Sequence, residues 1–244
     1  MLISFFEEFP NKENLNKLKL INFKTKLYLA TFNFKEFSKL KSKIKNKFVK
    51  EIIYWPILKK NEGYWVSPFS DKKALIKIFN ENINSNVLID CEFPKNKLLY
   101  IYQLFNFFGN KKLIKEFIIK NKVYTAEYYP EGTLKDSLLN FLGLNFDPNK
   151  YNNRIIKMLY HSMHNFNENF IKKEIRYGVN KYKNKYLVAF GTIARGINRN
   201  EPLLTLEQFK KDLKIAKECG VKEVIIYRLG GLNKNYLKVI KKYV

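Results

Sequence analysis

Short apolar runs alternate along the chain with longer stretches in which apolar positions recur at helical spacing. Each apolar run has the length and the β-branched or aromatic content that buried strands show. The runs cover residues 2–7, 26–31, 51–55, 87–92, 122–127, 155–161, 185–191 and 223–228. A helical pattern follows each of them, at residues 12–21, 34–47, 71–80, 97–120, 133–142, 167–179, 205–219 and 233–243. The pattern predicts eight strands and eight helices in alternation.

Regular alternation of strands and helices is typical of a parallel sheet, because each helix carries the chain back to the start of the next strand. Eight such units in 244 residues predict a single (β/α)8 TIM barrel, with residues 1–244 as one domain. The helix at 205–219 has the clearest ends. Thr205 and Gln208 fit a capping box, and Gly220 follows the last apolar position.

The chain carries 46 Lys and Arg against 22 Asp and Glu, a net charge of +24. Such a charge can favour nucleic acid or an anionic surface. The lysines are nevertheless scattered over the predicted helix faces and no RNA-binding motif appears, so nucleic acid is not the favoured partner. Cys91 and Cys219 give no disulfide framework. The apolar stretch 98–108 is too short for a membrane span, so we expect a cytoplasmic protein.

The predicted fourth strand ends in two carboxylates. Side chains alternate along a strand, so Asp90 and Glu92 point to the same side. Two acids at the end of a buried strand are costly unless they form ion pairs or take part in chemistry. A close pair of carboxyl groups also splits its two proton affinities, which suits general acid and base catalysis.

Other predicted strands end in residues that could join this pair, because active sites of TIM barrels lie where the strands end. Acidic residue, aromatic residue and Pro recur at the ends of the first, fourth and fifth strands. We expect one common group at the barrel mouth, formed by Asp90 and Glu92 together with Glu7 or Glu8, Glu127, Tyr160 and Arg228.

A long aromatic loop at 56–70 follows the predicted third strand. Trp55 immediately precedes this loop and Trp65 lies within it; they are the two tryptophans of the chain. Their rings could stack on the apolar face of a sugar, or they could fold back and plug the top of the barrel. With Tyr64 and Phe69, Trp65 is expected to form a lid over the mouth.

These strand ends resemble those of the chitinase-like glycoside hydrolases. The fourth strand of that family ends in Asp-x-Asp-x-Glu, often followed by an aromatic residue and Pro. Here the sequence Asp-Cys-Glu-Phe-Pro at 90–94 keeps the last Asp-x-Glu and the aromatic-Pro, and Leu88 stands in place of the preceding Asp. The sixth strand of the family carries Met-x-Tyr-Asp, and residues 158–161 read Met-Leu-Tyr-His.

The resemblance implies that Glu92 is the general acid, that Asp90 orients a substrate N-acetyl group, and that Tyr160 bonds the same group. Leu88 and His161 depart from the family pattern and leave the mode of cleavage open. We therefore predict a glycosidase-like barrel without a cofactor, acting on a carbohydrate or another small molecule. Its predicted catalytic residues are Asp90, Glu92, Glu127 and Tyr160, and its predicted substrate-binding residues are Glu7, Glu8, Trp55, Trp65 and Arg228.

Three alternatives remain open. A phosphate-binding barrel is one, because Gly-rich segments with an arginine, at 191–196 and 228–231, follow the seventh and eighth predicted strands. A metal hydrolase is another, with His161 and His164 joined by Glu127 and Asp90, although the His spacing fits no zinc motif. The third is a basic barrel without catalysis that binds RNA or a protein partner.

Overall fold

The computed structural model describes residues 1–129 and 133–244, except for the side chain of Thr133. Within these ranges eight parallel strands pair in chain order and close into a barrel, which confirms the predicted TIM-barrel fold. Every strand overlaps its predicted run, with ends shifted by three residues at most. The strands are β1 Leu2–Glu7, β2 Thr25–Thr31, β3 Val49–Pro56, β4 Val87–Cys91, β5 Val123–Tyr128, β6 Arg154–Met158, β7 Tyr186–Gly191 and β8 Glu223–Tyr227.

Helices follow the strands, as the apolar spacing predicts. They are α1 Lys12–Asn16, α2 Phe34–Lys41, α3 Lys72–Phe79, α4 Leu99–Tyr102, α5 Phe107–Lys120, α6 Thr133–Phe141, α7 Pro148–Tyr151, α8 Glu168–Tyr182, α9 Leu206–Glu218 and α10 Lys234–Ile240. Single 3-10 turns lie at Lys17–Leu20, Lys60–Glu62, Leu104–Asn106, Lys183–Lys185 and Leu229–Gly231. No helix in the described part of the chain is long and apolar enough to cross a membrane.

Several helical segments differ from the predicted pattern. Helix α2 ends at Lys41, six residues before its predicted end at residue 47. The stretch predicted at 97–120 is divided into α4 and α5 by the turn Leu104–Asn106. The short α7 is absent from the predicted elements because one turn carries no periodicity; Asp147 caps it and Pro148 opens it. At α9, Thr205 accepts from the Gln208 amide as expected, but the Gln208 side chain donates to Asp212 and does not complete the capping box.

The chain forms two compact units. One unit contains Met1–Ala30, Leu40–Ile53 and Ile156–Val244, and the other contains Thr31–Lys39 and Tyr54–Ile155. We call them the first and the second unit. In the first unit β1 pairs with β2 and β8, and β7 pairs with β8. In the second unit β4 pairs with β5, and Tyr54 of β3 pairs with Val87 of β4.

A buried polar cluster ties the strands of the first unit together near their N-terminal ends. The Glu223 carboxylate of β8 accepts hydrogen bonds from the hydroxyl groups of Ser4 and Tyr28, at 2.6 and 3.1 Å. The ammonium group of Lys26 lies 2.9 Å from the same carboxylate. Because its oxygens have these donors, Glu223 can be buried without an uncompensated charge.

Candidate active site

The register of β4 against β5 decides which acids of the second unit share a face. Asp90 pairs with Ala126 and Cys91 pairs with Glu127. Directly paired residues point to the same side of a sheet, and neighbours along a strand point to opposite sides. Asp90 therefore lies on the face of Ala126, whereas Glu127 lies on the opposite face.

Glu92 forms a hydrogen-bonded group with Tyr128, the last residue of β5. The Tyr128 hydroxyl accepts from the Phe93 N–H at 3.3 Å and donates to the Glu92 carboxylate at 3.3 Å. The backbone donor occupies one lone pair of the hydroxyl, so its proton is directed toward Glu92. Burial raises the pKa of Tyr128, and the charges of Glu92 and Asp90 raise it further. Tyr128 is therefore a neutral donor at ordinary pH.

Glu127 does not join this group, contrary to the expected convergence. Its carboxylate accepts from the Thr125 hydroxyl at 2.6 Å and from the Phe146 N–H at 3.0 Å. The Asn153 amide donates to Thr125 and to the Phe146 carbonyl, which completes the network. These contacts fasten β5 to the segment that precedes β6.

The loop after β3 is held firmly beside the end of β4. The Val66 N–H donates to the Asp90 carbonyl at 3.1 Å, and the Lys95 N–H donates to the Gly63 carbonyl at 3.0 Å. Trp65 is half-buried, with the Tyr64 ring edge-on at 5.4 Å and the Lys95 ammonium 5.8 Å from the ring centroid. The loop is thus held at Val66, the residue after Trp65, against the end of β4.

Trp55 has a different position from Trp65. It lies within β3, one residue before the loop, and is only 2% exposed. A ring with so little accessible surface packs inside the protein and offers no face to a solvent-borne sugar. The sequence leaves two roles open for Trp55, stacking on a sugar or folding back into the protein. The burial of its ring favours the second role.

Glu7 of the first unit is fully buried and is held by four donors. Its carboxylate accepts from the Phe9 and Gly230 N–H groups at 2.8 and 2.7 Å. The Asn14 amide and the Arg228 guanidinium donate to it at 3.0 and 3.1 Å. Burial raises the pKa of Glu7, and the Arg228 charge and these hydrogen bonds oppose the shift. Glu7 thereby connects the end of β1 to α1 and to the turn after β8.

Glu8 follows Glu7 and has its own set of contacts. It accepts a hydrogen bond from the Tyr227 hydroxyl, and the Tyr160 ring lies 5.8 Å from the Tyr227 ring. Burial raises the pKa of Tyr227 well above its ordinary value, with the Glu8 charge adding to the effect. Glu8, Tyr160 and Tyr227 form a cluster in the first unit.

The Arg228 side chain contacts an acid, a backbone carbonyl and an aromatic ring. Besides the pair with Glu7, its Nε donates to the Arg195 carbonyl at 2.9 Å, and its guanidinium lies 4.8 Å from the centre of the Phe9 ring. The nearby backbone donors are also used. Gly230 donates to Glu7, and Gly196 donates to Glu201 at 3.1 Å.

His161 pairs with an acid that was not among the predicted site residues. Its Nδ1 lies 2.8 Å from the Asp212 carboxylate, both side chains are buried, and Gln208 holds the same oxygen of Asp212. Across residues 1–129 and 133–244, no three His, Cys, Asp or Glu side chains come together as a metal site. The set of His161, His164, Glu127 and Asp90 proposed for a metal hydrolase is thus not assembled.

A groove of about 740 Å³ lies elsewhere in the first unit, and none of the predicted site residues lines it. Its lining residues are Pro10, Lys12, Leu15, Asn16, Leu18, Lys19, Leu40, Lys43, Ile44, Lys45 and Asn46.

Sequence reasoning missed Tyr128, Tyr227 and Asp212, each of which contacts a predicted site residue. Tyr128 and Tyr227 are the last residues of their strands, a position that the sequence pattern indicates. Their partners depend on strand register, which the sequence leaves undetermined. Asp212 lies on α9, far along the chain from His161, and no local pattern connects the two.

The raised pKa values of Tyr54, Tyr128 and Tyr227 predict a loss of stability in alkali. Above pH ~10 the unfolded chain releases phenol protons that the folded protein retains, so stability falls as pH rises. Each of the three tyrosines should lower the free energy of unfolding by about 1.4 kcal/mol per pH unit in that range. Denaturant unfolding just below and well above this pH measures the loss. If all 16 tyrosines of the folded protein ionise together near pH ~10, as they should in denaturant, the expectation is wrong.

No protein-family model matches the chain, and no curated protein matches its sequence. Solved structures do resemble it. The PgaB (BpsB) glycoside hydrolase domain from Bordetella bronchiseptica has a TM-score of 0.55 at 8% identity, over 97% of this chain and 94% of that one. The β-amylase catalytic domain from Paenibacillus polymyxa has a TM-score of 0.54 at 8% identity, over 100% and 97%.

A class V chitinase from Pseudomonas fluorescens Pf-5 is similar to the same degree. Its TM-score is 0.53 at 9% identity, over 98% of both chains. At such low identity a likeness shows the fold alone. The resemblance to chitinase-like glycoside hydrolases that two strand motifs indicated is therefore confirmed at the level of the barrel.

Proposed function

We propose that this barrel cleaves a glycosidic bond, with Glu92 as the general acid. The observation that carries the proposal is the group formed by Asp90, Glu92 and Tyr128 at the ends of β4 and β5. It combines two carboxylates, two residues apart at the end of β4, with a phenol that donates to Glu92 at 3.3 Å. Paired carboxyl groups are the apparatus of glycoside hydrolysis.

Each member of the group has a proposed role. Glu92 protonates the leaving oxygen, and a second carboxyl group supports the positive charge that develops on the sugar ring. Asp90 lies two residues earlier, within β4, and exchanges or shares a proton with Glu92. Tyr128 holds the Glu92 carboxylate in one orientation, which makes it a positioning residue.

Trp65 is the proposed sugar-stacking residue. It is half-buried, its neighbour Val66 is bonded to the backbone of Asp90, and Tyr64 contacts it edge-on. An aromatic ring on a loop that is held against the end of β4 can orient the apolar face of a sugar at little entropic cost. In the first unit, the predicted catalytic residue Tyr160 and the predicted substrate-binding residue Glu8 both contact Tyr227.

The phosphate-binding alternative has weaker support. The groups that would hold a phosphate are Arg195, which is exposed, Arg228, and the N–H donors of Gly196 and Gly230. Glu7 binds Arg228 and Gly230, and Glu201 binds Gly196, so these carboxylates occupy the donors other than Arg195. A phosphate would have to displace two buried acids, which favours the glycosidase proposal.

Aryl glycosides of N-acetylhexosamine, glucose and galactose provide the test. We expect turnover of at least one of them by the wild-type protein. In the Tyr128→Phe variant kcat should fall about 10-fold to 100-fold with little change in KM, because the hydrogen bond that stabilises the Glu92 carboxylate as it gives up its proton is lost. Steady-state kinetics measure both constants.

Tyr124→Phe is the matched control. Tyr124 lies on the same strand, and its hydroxyl accepts from Arg154 at 3.0 Å, away from Glu92. This variant should keep the wild-type kcat. If the wild-type protein cleaves none of the three substrates, the glycosidase proposal is contradicted. If kcat falls equally in Tyr128→Phe and Tyr124→Phe, Tyr128 has no specific role in positioning Glu92.

A further inference from the structure

The segment that follows β4 exposes an unusual number of large apolar side chains. Residues 98–108 run through α4 and the turn Leu104–Asn106 into the start of α5. The six side chains on its outer side are between 56% and 98% exposed, with Phe105 at the upper limit. They are Leu98, Ile101, Tyr102, Leu104, Phe105 and Phe108. Scattered exposed apolar residues are ordinary, but a contiguous set on one face marks an interaction site.

The opposite side of this segment is anchored in the protein. Leu99 and Phe107 are buried, and Phe107 lies 5.0 Å from the Phe69 ring. Buried Asn110 donates through its side-chain amide to the carbonyls of Pro68 and Ser70, both at 3.0 Å. The backbone is therefore fixed in a position that presents the outer side chains to solvent.

Helix α6 extends the apolar surface. Leu134, Leu138 and Phe141 recur at helical spacing and are 55% to 87% exposed. Phe141 lies 6.2 Å from the Phe107 ring, and the Lys111 ammonium donates to the Phe141 carbonyl. We call the six side chains of 98–108 and these three residues of α6 the apolar ridge.

Positive charge surrounds the ridge. Residues 95–115 contain five lysines and no Asp or Glu, and the lysines are Lys95, Lys97, Lys111, Lys112 and Lys115. Lys97 and Lys112 are exposed at the two ends of the segment. Glu116, which lies 4.0 Å from the Lys112 ammonium, and Asp136 of α6 are the acids beside the ridge, so its rim is positive on balance. An apolar stripe of Phe, Leu, Ile and Tyr with a net positive rim is the pattern that binds the interface of an anionic bilayer.

We propose that the apolar ridge docks the protein on an anionic lipid surface, without spanning it. Phe105, Phe108 and Ile101 would enter the headgroup region, and the lysines would face lipid phosphates and carboxylates. The positive charge around the ridge favours an anionic lipid surface over a second copy of the chain as the binding partner. A two-fold interface on the ridge would bring the lysine rims of both copies together, and like charges oppose it. This proposal is independent of the proposed glycosidase activity.

Vesicle flotation with the full chain tests the docking. Binding to vesicles of equal parts phosphatidylcholine and phosphatidylserine should exceed binding to phosphatidylcholine alone, and it should weaken at high salt. The Phe105→Ser/Phe108→Ser variant should lose binding by about 10-fold or more, because two aromatic side chains no longer enter the interface. Lys97→Gln/Lys112→Gln should lose a similar factor, about 10-fold, on the anionic vesicles only.

Phe32→Ser is the matched control, since Phe32 is 51% exposed and lies outside the ridge. It should bind vesicles like the wild type. Equal binding to both kinds of vesicle, or unchanged binding by the Phe105→Ser/Phe108→Ser variant, would overturn the proposal. Sedimentation that shows the wild type self-associating through the ridge, with no vesicle binding, would also overturn it. Circular dichroism of each variant shows whether it is folded.

Discussion

Replacing Glu92 with glutamine should lower kcat by about 100-fold to 10,000-fold on any glycoside that the wild type cleaves, the usual contribution of general acid catalysis. Glutamine keeps the shape of the side chain and can still accept from the Tyr128 hydroxyl, but it has no proton to give to a leaving oxygen. The loss should appear in kcat, because ground-state contacts to the substrate are retained. Steady-state kinetics on the aryl glycoside panel measure it.

Two controls separate chemistry from general damage. Glu207→Gln changes an exposed acid that pairs with Lys211 at 3.4 Å, and it should leave kcat unchanged. A substrate with a better leaving group needs less help from an acid, so it should recover part of the lost rate in Glu92→Gln. Wild-type kcat in the folded Glu92→Gln variant would refute the assignment of Glu92.

Replacing Arg228 with methionine should destabilise the protein by about 3–5 kcal/mol, the range seen when one partner of a buried ion pair is removed. Glu7 is fully buried, and its carboxylate would keep its hydrogen bonds from Asn14 and two backbone amides but lose the only charge of opposite sign beside it in the described structure. Denaturant unfolding at neutral pH measures the loss.

A double-mutant cycle with Glu7→Gln tests whether the loss comes from this pair. The double variant should be more stable than the sum of the single losses predicts, by about 1–3 kcal/mol. The exposed pair of Lys211 and Glu207 serves as the reference, and its coupling should be below about 1 kcal/mol. Additive losses in the Glu7 cycle would mean that Arg228 contributes through its other contacts, to Arg195 and Phe9.

The sequence by itself determined the architecture. Apolar runs of strand length and helical repeats are properties of neighbouring residues, so a short window of sequence is enough to detect each of them. Their eightfold alternation leaves few arrangements other than a closed parallel barrel. Alternation along one strand also predicted that Asp90 and Glu92 share a face, but β4 ends at Cys91 and the Glu92 N–H donates back to the Asp90 carbonyl at 3.1 Å, so the alternation does not extend to Glu92.

The tertiary structure decided which residues meet. Glu92 contacts Tyr128, and Glu127 faces away, because β4 pairs with β5 in a register that places Cys91 beside Glu127. A shift of one residue would exchange the two faces, and nothing local specifies it. Glu7 and Arg228 meet across the barrel strands, 221 positions apart in the chain.

Exposure was likewise decided only by packing. The sequence shows that residues 98–108 are apolar, a property that core residues, a subunit contact and a surface ridge share. The anchoring of Leu99, Phe107 and Asn110 turns the remaining apolar side chains outward. The hydrophobicity of such a segment favours burying its side chains against some partner. Long-range contacts decide the direction of each side chain, and thus which partner it can contact.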